Sequence, residues 1–165
     1  MRGICSLFIF ISLIVDVSAQ KKALNPKGEI SETLNGTDII IEYYQPSVRG
    51  RKIMGELVPY GKVWQTGANN ATKLILKQDA RIEGETLAAG TYALFTIPGE
   101  KEWVIIFNKE AEQWGSAKYN QEEDALRVVV DTIKLNDLVE TFSIGFTDSG
   151  IKLAWEYTAV VFNID

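Results

Sequence analysis

Histidine is absent from this 165-residue chain, and its single cysteine, Cys5, lies in an apolar run near the N-terminus. Without imidazole there is no histidine general base, no serine–histidine pair and no histidine metal ligand. Beyond Cys5 there is no thiol to act as a nucleophile or zinc ligand. Zinc hydrolases and conventional serine or cysteine hydrolases are therefore disfavoured, and neither metal nor cofactor is expected. Disulfides are equally out of reach, but a chain of this length buries enough of itself in one core to do without them. Positive charge is also scarce: 17 Lys and Arg stand against 22 Asp and Glu, a net charge of −5. That balance argues against bulk binding to nucleic acid or to an anionic membrane surface.

Long hydrophobic stretches are confined to the start. "MRGICSLFIFISLIVDVSAQ" combines Arg2, an apolar run from Ile4 to Val15 and the small-residue ending Val17-Ser18-Ala19, which are the three parts of a secretory signal. The run falls short of the roughly 18 consecutive apolar residues of a spanning helix. The expectation is a signal peptide over residues 1–19, cleavage after Ala19, and export to the periplasm or the extracellular space. Cys5 stands ahead of most of the apolar run, the wrong place for a lipid-anchor cysteine. The mature chain, residues 20–165, then carries no membrane span.

Beyond the signal the chain is dominated by period-two alternation, the mark of strands with one face buried. In "TDIIIEYY", Ile39, Ile41 and Tyr43 share a face; in "TKLILKQ", Leu74 and Leu76 alternate with Lys73 and Lys77. Further strands are expected at 91–97, 102–108, 127–135, 139–146, 151–157 and 158–164, with Val104 to Phe107 buried on both sides. Turns are expected at "EGE" (83–85), "PGEK" (98–101), "LND" (135–137) and "TDSG" (147–150). A short helix is expected around Lys109 to Trp114, ended by Gly115, and residues 21–28 are polar enough for a loose start. The pattern predicts a single all-β domain, an antiparallel β-sandwich or jelly-roll-like fold. Asn35 and Asn70 open N-x-T sequons, which matter only in a host that glycosylates secreted proteins.

One long Gly-rich connection interrupts the alternation. In "SVRGRKIMGELVPYGKVWQTGANNAT", Gly50, Gly55, Gly61 and Gly67 with Pro59 exclude a long helix and a regular central strand. Between Tyr43 and Lys73, five basic residues (Arg49, Arg51, Lys52, Lys62 and Lys73) face only Glu56, a basic island in an acidic chain. Long ordered connections of this kind often carry function.

Several blocks in the same order also carry a resemblance. "YYQPSVRGRKIMGELVPYGKVWQTGANNAT", "AGTYALFTIPGEKEWVIIFN" and "QWGSAKYNQEEDALRV" resemble the secreted bacterial domain of unknown function 2911, from about Lys27 to the C-terminus. The resemblance implies an exported β-rich domain and supplies no activity. It brings forward Pro46, Arg51, Tyr60, Trp64, Thr66, Asn69 and Thr72 in the first block, and Trp103, Trp114, Tyr119 and Arg127 later. The family pattern usually has arginine after the tryptophan of the first block, where this chain has Gln65.

The candidate ligand-binding residues are Tyr44, Arg51, Tyr60, Lys62, Trp64, Thr66, Asn69 and Tyr119. Arg51 suits a carboxylate, sulfate or phosphate through its planar fork, and equally suits tying down carbonyls of its own loop or pairing with Glu56. Arg49 and Lys52 are expected to be exposed without a role. Tyr44, Tyr60 and Trp64 fit a stacking platform for a sugar ring or peptide, with Thr66 and Asn69 adding hydrogen bonds and Lys62 a further cation; Trp64 fits core packing as well. Tyr119 is expected to lean over the same end of the sandwich. Glu122, Glu123 and Asp124 form a solvated acidic face.

Three readings result. The first is a non-enzymatic binding domain whose 44–72 connection takes a carbohydrate, peptide or other small polar or anionic ligand. The second is an enzyme acting on envelope glycans or anionic esters with carboxylate or tyrosine chemistry. The third is a structural accessory module for another envelope protein. The first two predict Arg51, Tyr60 and Asn69 around one concavity, the enzyme with an acid in reach; the third predicts these groups buried against one another.

Overall fold

The structure is a computed structural model and describes residues 24–165. The expected signal peptide lies outside the described residues. Ten strands run in chain order: β1 (Lys27–Leu34), β2 (Thr37–Tyr44), β3 (Thr72–Leu76), β4 (Ala80–Ile82), β5 (Glu85–Leu87), β6 (Gly90–Ile97), β7 (Glu102–Asn108), β8 (Asp124–Asp131), β9 (Ile133–Phe146) and β10 (Gly150–Asn163). The only helical element among the described residues is one 3-10 turn at Gln121–Glu123. No helix among them is long and apolar enough to cross a membrane.

The all-β expectation is met by an antiparallel sandwich. One layer is a six-stranded sheet in the order β1-β2-β3-β6-β7-β8. The other is built on the β9–β10 hairpin. The β4–β5 hairpin extends it past β10, where Arg81 and Asp165 exchange backbone hydrogen bonds of 3.1 and 2.8 Å. At the other margin Pro46–Val48 lies along β9, with Val48 N–H donating to Glu140 O and Phe142 N–H to Pro46 O, both at 2.8 Å. The inner faces meet in a continuous core: Phe107 of β7 stands edge-on to Phe162 of β10 at 5.8 Å, and Tyr43 of β2 edge-on to Phe142 of β9 at 5.9 Å.

β2 follows the predicted alternation, with Thr37, Ile39, Ile41 and Tyr43 buried and Asp38 exposed. β6 and β7 are buried on both sides. Leu94, Ile105 and Phe107 join the inter-layer core, while Ala93, Phe95 and Ile106 point outward beneath Val63 and Tyr119. The apolar run 104–107 therefore serves two cores rather than one.

Four expectations need correction. β1, a strand not expected from the alternation, begins at Lys27 and so takes the last two residues of the expected loose start; Asn35 and Gly36 adopt φ of 49° and 82° and fold it back on β2 as a tight hairpin. The expected turn at 135–137 is continuous strand within β9; its polar residues face solvent, which a linear reading cannot tell from a turn. The two expected strands at 151–157 and 158–164 are one strand, β10, whose register shifts on either side of Glu156. The helix expected around 109–114 is absent. Ala71 N–H donates to Gln113 O at 2.9 Å and Gly115 N–H to Asn69 O at 2.8 Å, and this ladder holds the segment extended.

Candidate functional site

The connection between β2 and β3 is fastened along its length. Arg49 and Gly50 turn the chain with φ of 50° and 69°. Arg51 Nε donates to Val48 O at 3.0 Å and its Nη2 to Ser47 O at 2.7 Å. Further on, Glu156 of β10 sits at a bulge with φ of 56°, and its carboxylate accepts from the buried Ile53 and Met54 N–H groups, both at 3.1 Å. An antiparallel bridge ties Trp64 to Thr96 of β6 through backbone bonds of 2.8 and 2.9 Å. Gly67 closes the segment: its φ is 154° and a Cβ there would stand 2.9 Å from Tyr44 O, so no side chain fits.

The Trp64 indole stacks on Trp155 of β10, with centroids 5.7 Å apart and planes at 18°, and Phe142 and Trp103 stand edge-on to it. Its Nε1 donates to Gly67 O at 2.9 Å. Against these two buried indoles opens a cleft of about 330 Å³. Arg49, Arg51, Gln65, Asn69 and Asn25 are the polar residues that line it, and Leu57, Val58, Trp64 and Trp155 supply the apolar wall. No lining residue is acidic. Arg49 also donates to Leu24 O. Among the described residues neither Arg49 nor Arg51 forms an ion pair.

The predicted residues are only partly gathered here. Arg51, Trp64 and Asn69 line the cleft. Tyr60 does not: it borders a separate open depression with Glu100, Lys101, Asp131 and Lys134. The expected shared concavity of Arg51, Tyr60 and Asn69 therefore does not form. Tyr44 lines a small pocket of about 90 Å³ with Lys27, Glu42, Asn70, Lys73 and Glu112. Its charges are matched, Lys27 with Glu42 at 2.6 Å and Lys73 with Glu112. Lys62 is exposed outside the cleft.

Thr66, expected to reach a ligand, is fully enclosed. Its hydroxyl meets Thr96 Oγ1 at 3.2 Å and its carbonyl accepts from Thr72 Oγ1 at 2.5 Å, so it braces the loop. Tyr119 is also engaged internally. It packs edge-on against Phe95, its hydroxyl donates to Asp124 Oδ2 at 2.5 Å, and Asn108 Nδ2 donates to Asp124 Oδ1 at 2.8 Å. Burial, and then the adjoining Asp124 carboxylate, push the Tyr119 phenol up to about 12. Among the described residues no group of three or more Asp, Glu, His or Cys is placed to hold a metal ion.

Trp155, Leu57, Val58 and Gln65 are absent from the residues expected at the site, and Arg49, expected to be exposed without a role, lines the cleft. Gln65 and Leu57 lie within the suspect connection, where a sequence reading can reach them. Trp155 is out of such reach, since it comes from the last strand and nothing local marks it as the partner of Trp64.

A rigid connection packed on a β-sandwich and walling a basic cleft is the class of structure these observations define. The chain matches the family described as Protein of unknown function (DUF2911) over residues 25–164, and it belongs to that family. No curated protein and no solved structure matches it.

Proposed function

We propose that this protein is an exported, non-enzymatic binding domain whose cleft takes a small molecule with an anionic group and an apolar or planar body. The observation that carries the reading is the composition of the cleft: Arg49 and Arg51 without an acidic neighbour in the lining, beside the stacked Trp64 and Trp155, in a chain of net charge −5. Guanidinium groups that line a concavity without a carboxylate partner favour a carboxylate, sulfate or phosphate. Cleft size supports a ligand of modest dimensions, since pockets of ~300–1,000 Å³ enclose compounds up to drug size. Export is supported by the three-part N-terminus.

Binding is favoured over catalysis because the lining includes no carboxylate, hydroxyl, amine or thiol side chain to act as nucleophile or general base. The bracing of Arg51 is compatible with this role. Its Nε and Nη2 hold Val48 and Ser47 carbonyls, which fixes the fork and leaves Nη1 free of those two bonds.

Titration calorimetry with benzoate, indole-3-acetate and phenyl phosphate, against neutral benzyl alcohol, tests the proposal. At least one anion should bind and the alcohol should not. Arg49→Ala should weaken the anion and Gln65→Arg, which adds a donor to the lining, should strengthen it, each by about ten-fold. Equal binding of the neutral compound, indifference to both substitutions, or no binding of any anion would overturn the reading.

A further inference from the structure

Three of the four tryptophans are buried, while Trp114 is 72% exposed. A lone exposed aromatic needs no explanation on a mobile loop, but Trp114 is not on one. It forms an antiparallel bridge with Asn70, inside the ladder made by Gln113 with Ala71 and Gly115 with Asn69. The same segment is pinned from below: Asn108 Oδ1 accepts from Glu110 N–H at 3.1 Å and from Gln113 Nε2 at 3.2 Å, and Gln113 Nε2 also donates to Glu110 O at 2.8 Å. The fold thus holds an apolar indole out in water on a fixed backbone.

Directly opposed residues of an antiparallel pair project to one face with their Cβ atoms about 5 Å apart. Asn70 is therefore the amide neighbour of the Trp114 indole, and Asn70 lines the small pocket that holds Tyr44 and the two ion pairs Lys27–Glu42 and Lys73–Glu112. The surroundings of this pocket are polar and locally neutral, with alanine at 71 and 111 as the only apolar lining. A docking protein would want a wider apolar surround, and an anion would want an unmatched cation. A pyranose ring has an apolar C–H face to lay on an indole and a rim of hydroxyls to engage amides, carboxylates and ammonium groups.

We infer that Trp114, with Asn70 beside it and Tyr44 in the pocket that Asn70 lines, forms a stacking site for a neutral glycan, separate from the basic cleft. Because the ladder fixes the backbone beneath the indole, only the two side-chain torsions of Trp114 remain to be ordered when a sugar settles on it.

The test uses the full chain as secreted and cellohexaose, chitohexaose and maltohexaose as probes, with calorimetry for affinity and tryptophan emission for environment. At least one probe should bind and shift emission to the blue. Trp114→Ala should weaken it by about ten-fold or more and Trp114→Tyr should recover part of the loss. Thermal melts should be unchanged in both variants, because the side chain is exposed. Arg49→Ala should leave glycan binding intact, which distinguishes this site from the cleft. Binding of none of the three probes, or binding indifferent to Trp114→Ala, would overturn the inference. So would a wild-type dimer in analytical ultracentrifugation that Trp114→Ala dissociates, since the indole would then be a contact between copies of the chain.

Discussion

Glu156 offers the sharpest test of how the cleft wall is held. It is a non-glycine residue at φ of 56° in the middle of β10, and its carboxylate accepts the N–H groups of Ile53 and Met54 at 3.1 Å. Those residues are 0% and 4% exposed, so water has little access to replace the lost acceptor. A hydrogen bond to a charged group contributes about 1.5–3 kcal/mol. Glu156 itself is half-buried, which argues for the low end, so Glu156→Ala should lose about 3 kcal/mol. Glu156→Gly loses the same two bonds but relieves the left-handed backbone, worth about 1 kcal/mol, and should lose about 2 kcal/mol. Glu156→Gln keeps one acceptor and should fall below both losses. Urea denaturation followed by fluorescence measures all three, and a loss of about 3 kcal/mol should lower the melting temperature by about 10 °C for a domain of this size. A Glu156→Ala variant within about 0.5 kcal/mol of wild type, the range of an ordinary surface change, would refute the bracing role. A glycine variant no more stable than the alanine variant would refute the backbone strain alone.

Two further outcomes rest on other contacts. Of the six tyrosines, Tyr119 should ionise at about pH 12 in a spectrophotometric titration, and Tyr119→Phe should remove that step. Its folded value lies above the ordinary 10.0 of the phenol, so the stability contributed by the neutral form is complete below pH 10 and is lost as pH rises toward 12. Gly150→Ala should destabilise the protein by about 3 kcal/mol or more in denaturant melts, beyond the usual overpacking range, because the new Cβ would stand 2.1 Å from Phe162 O, a backbone atom with nowhere to go.

Local chemistry was enough to determine several features. Period-two alternation in "TDIIIEYY" and "TKLILKQ" determines which face of β2 and β3 is buried, since a strand sends successive side chains to opposite sides. Glu83 and Gly84, at φ of 49° and 81°, turn β4 into β5 as "EGE" implied. The absence of histidine and the basic island around Arg51 are properties of composition and needed no fold.

Partnership across the sandwich was not legible. Alternation says that a side chain points inward but not which residue of the other layer it meets, because that depends on register and on non-local packing. Hence Trp64 could be suspected as core while its stacking on Trp155, and the cleft formed against that pair, could not. Tyr60 and Asn69 share one sequence block yet open onto different cavities, because the connection turns between them and pairs Trp64 with β6. Trp114 shows the converse: its sequence context suggested a helix end, and only the ladder to Asn70, a contact between distant segments, leaves the indole standing in solvent.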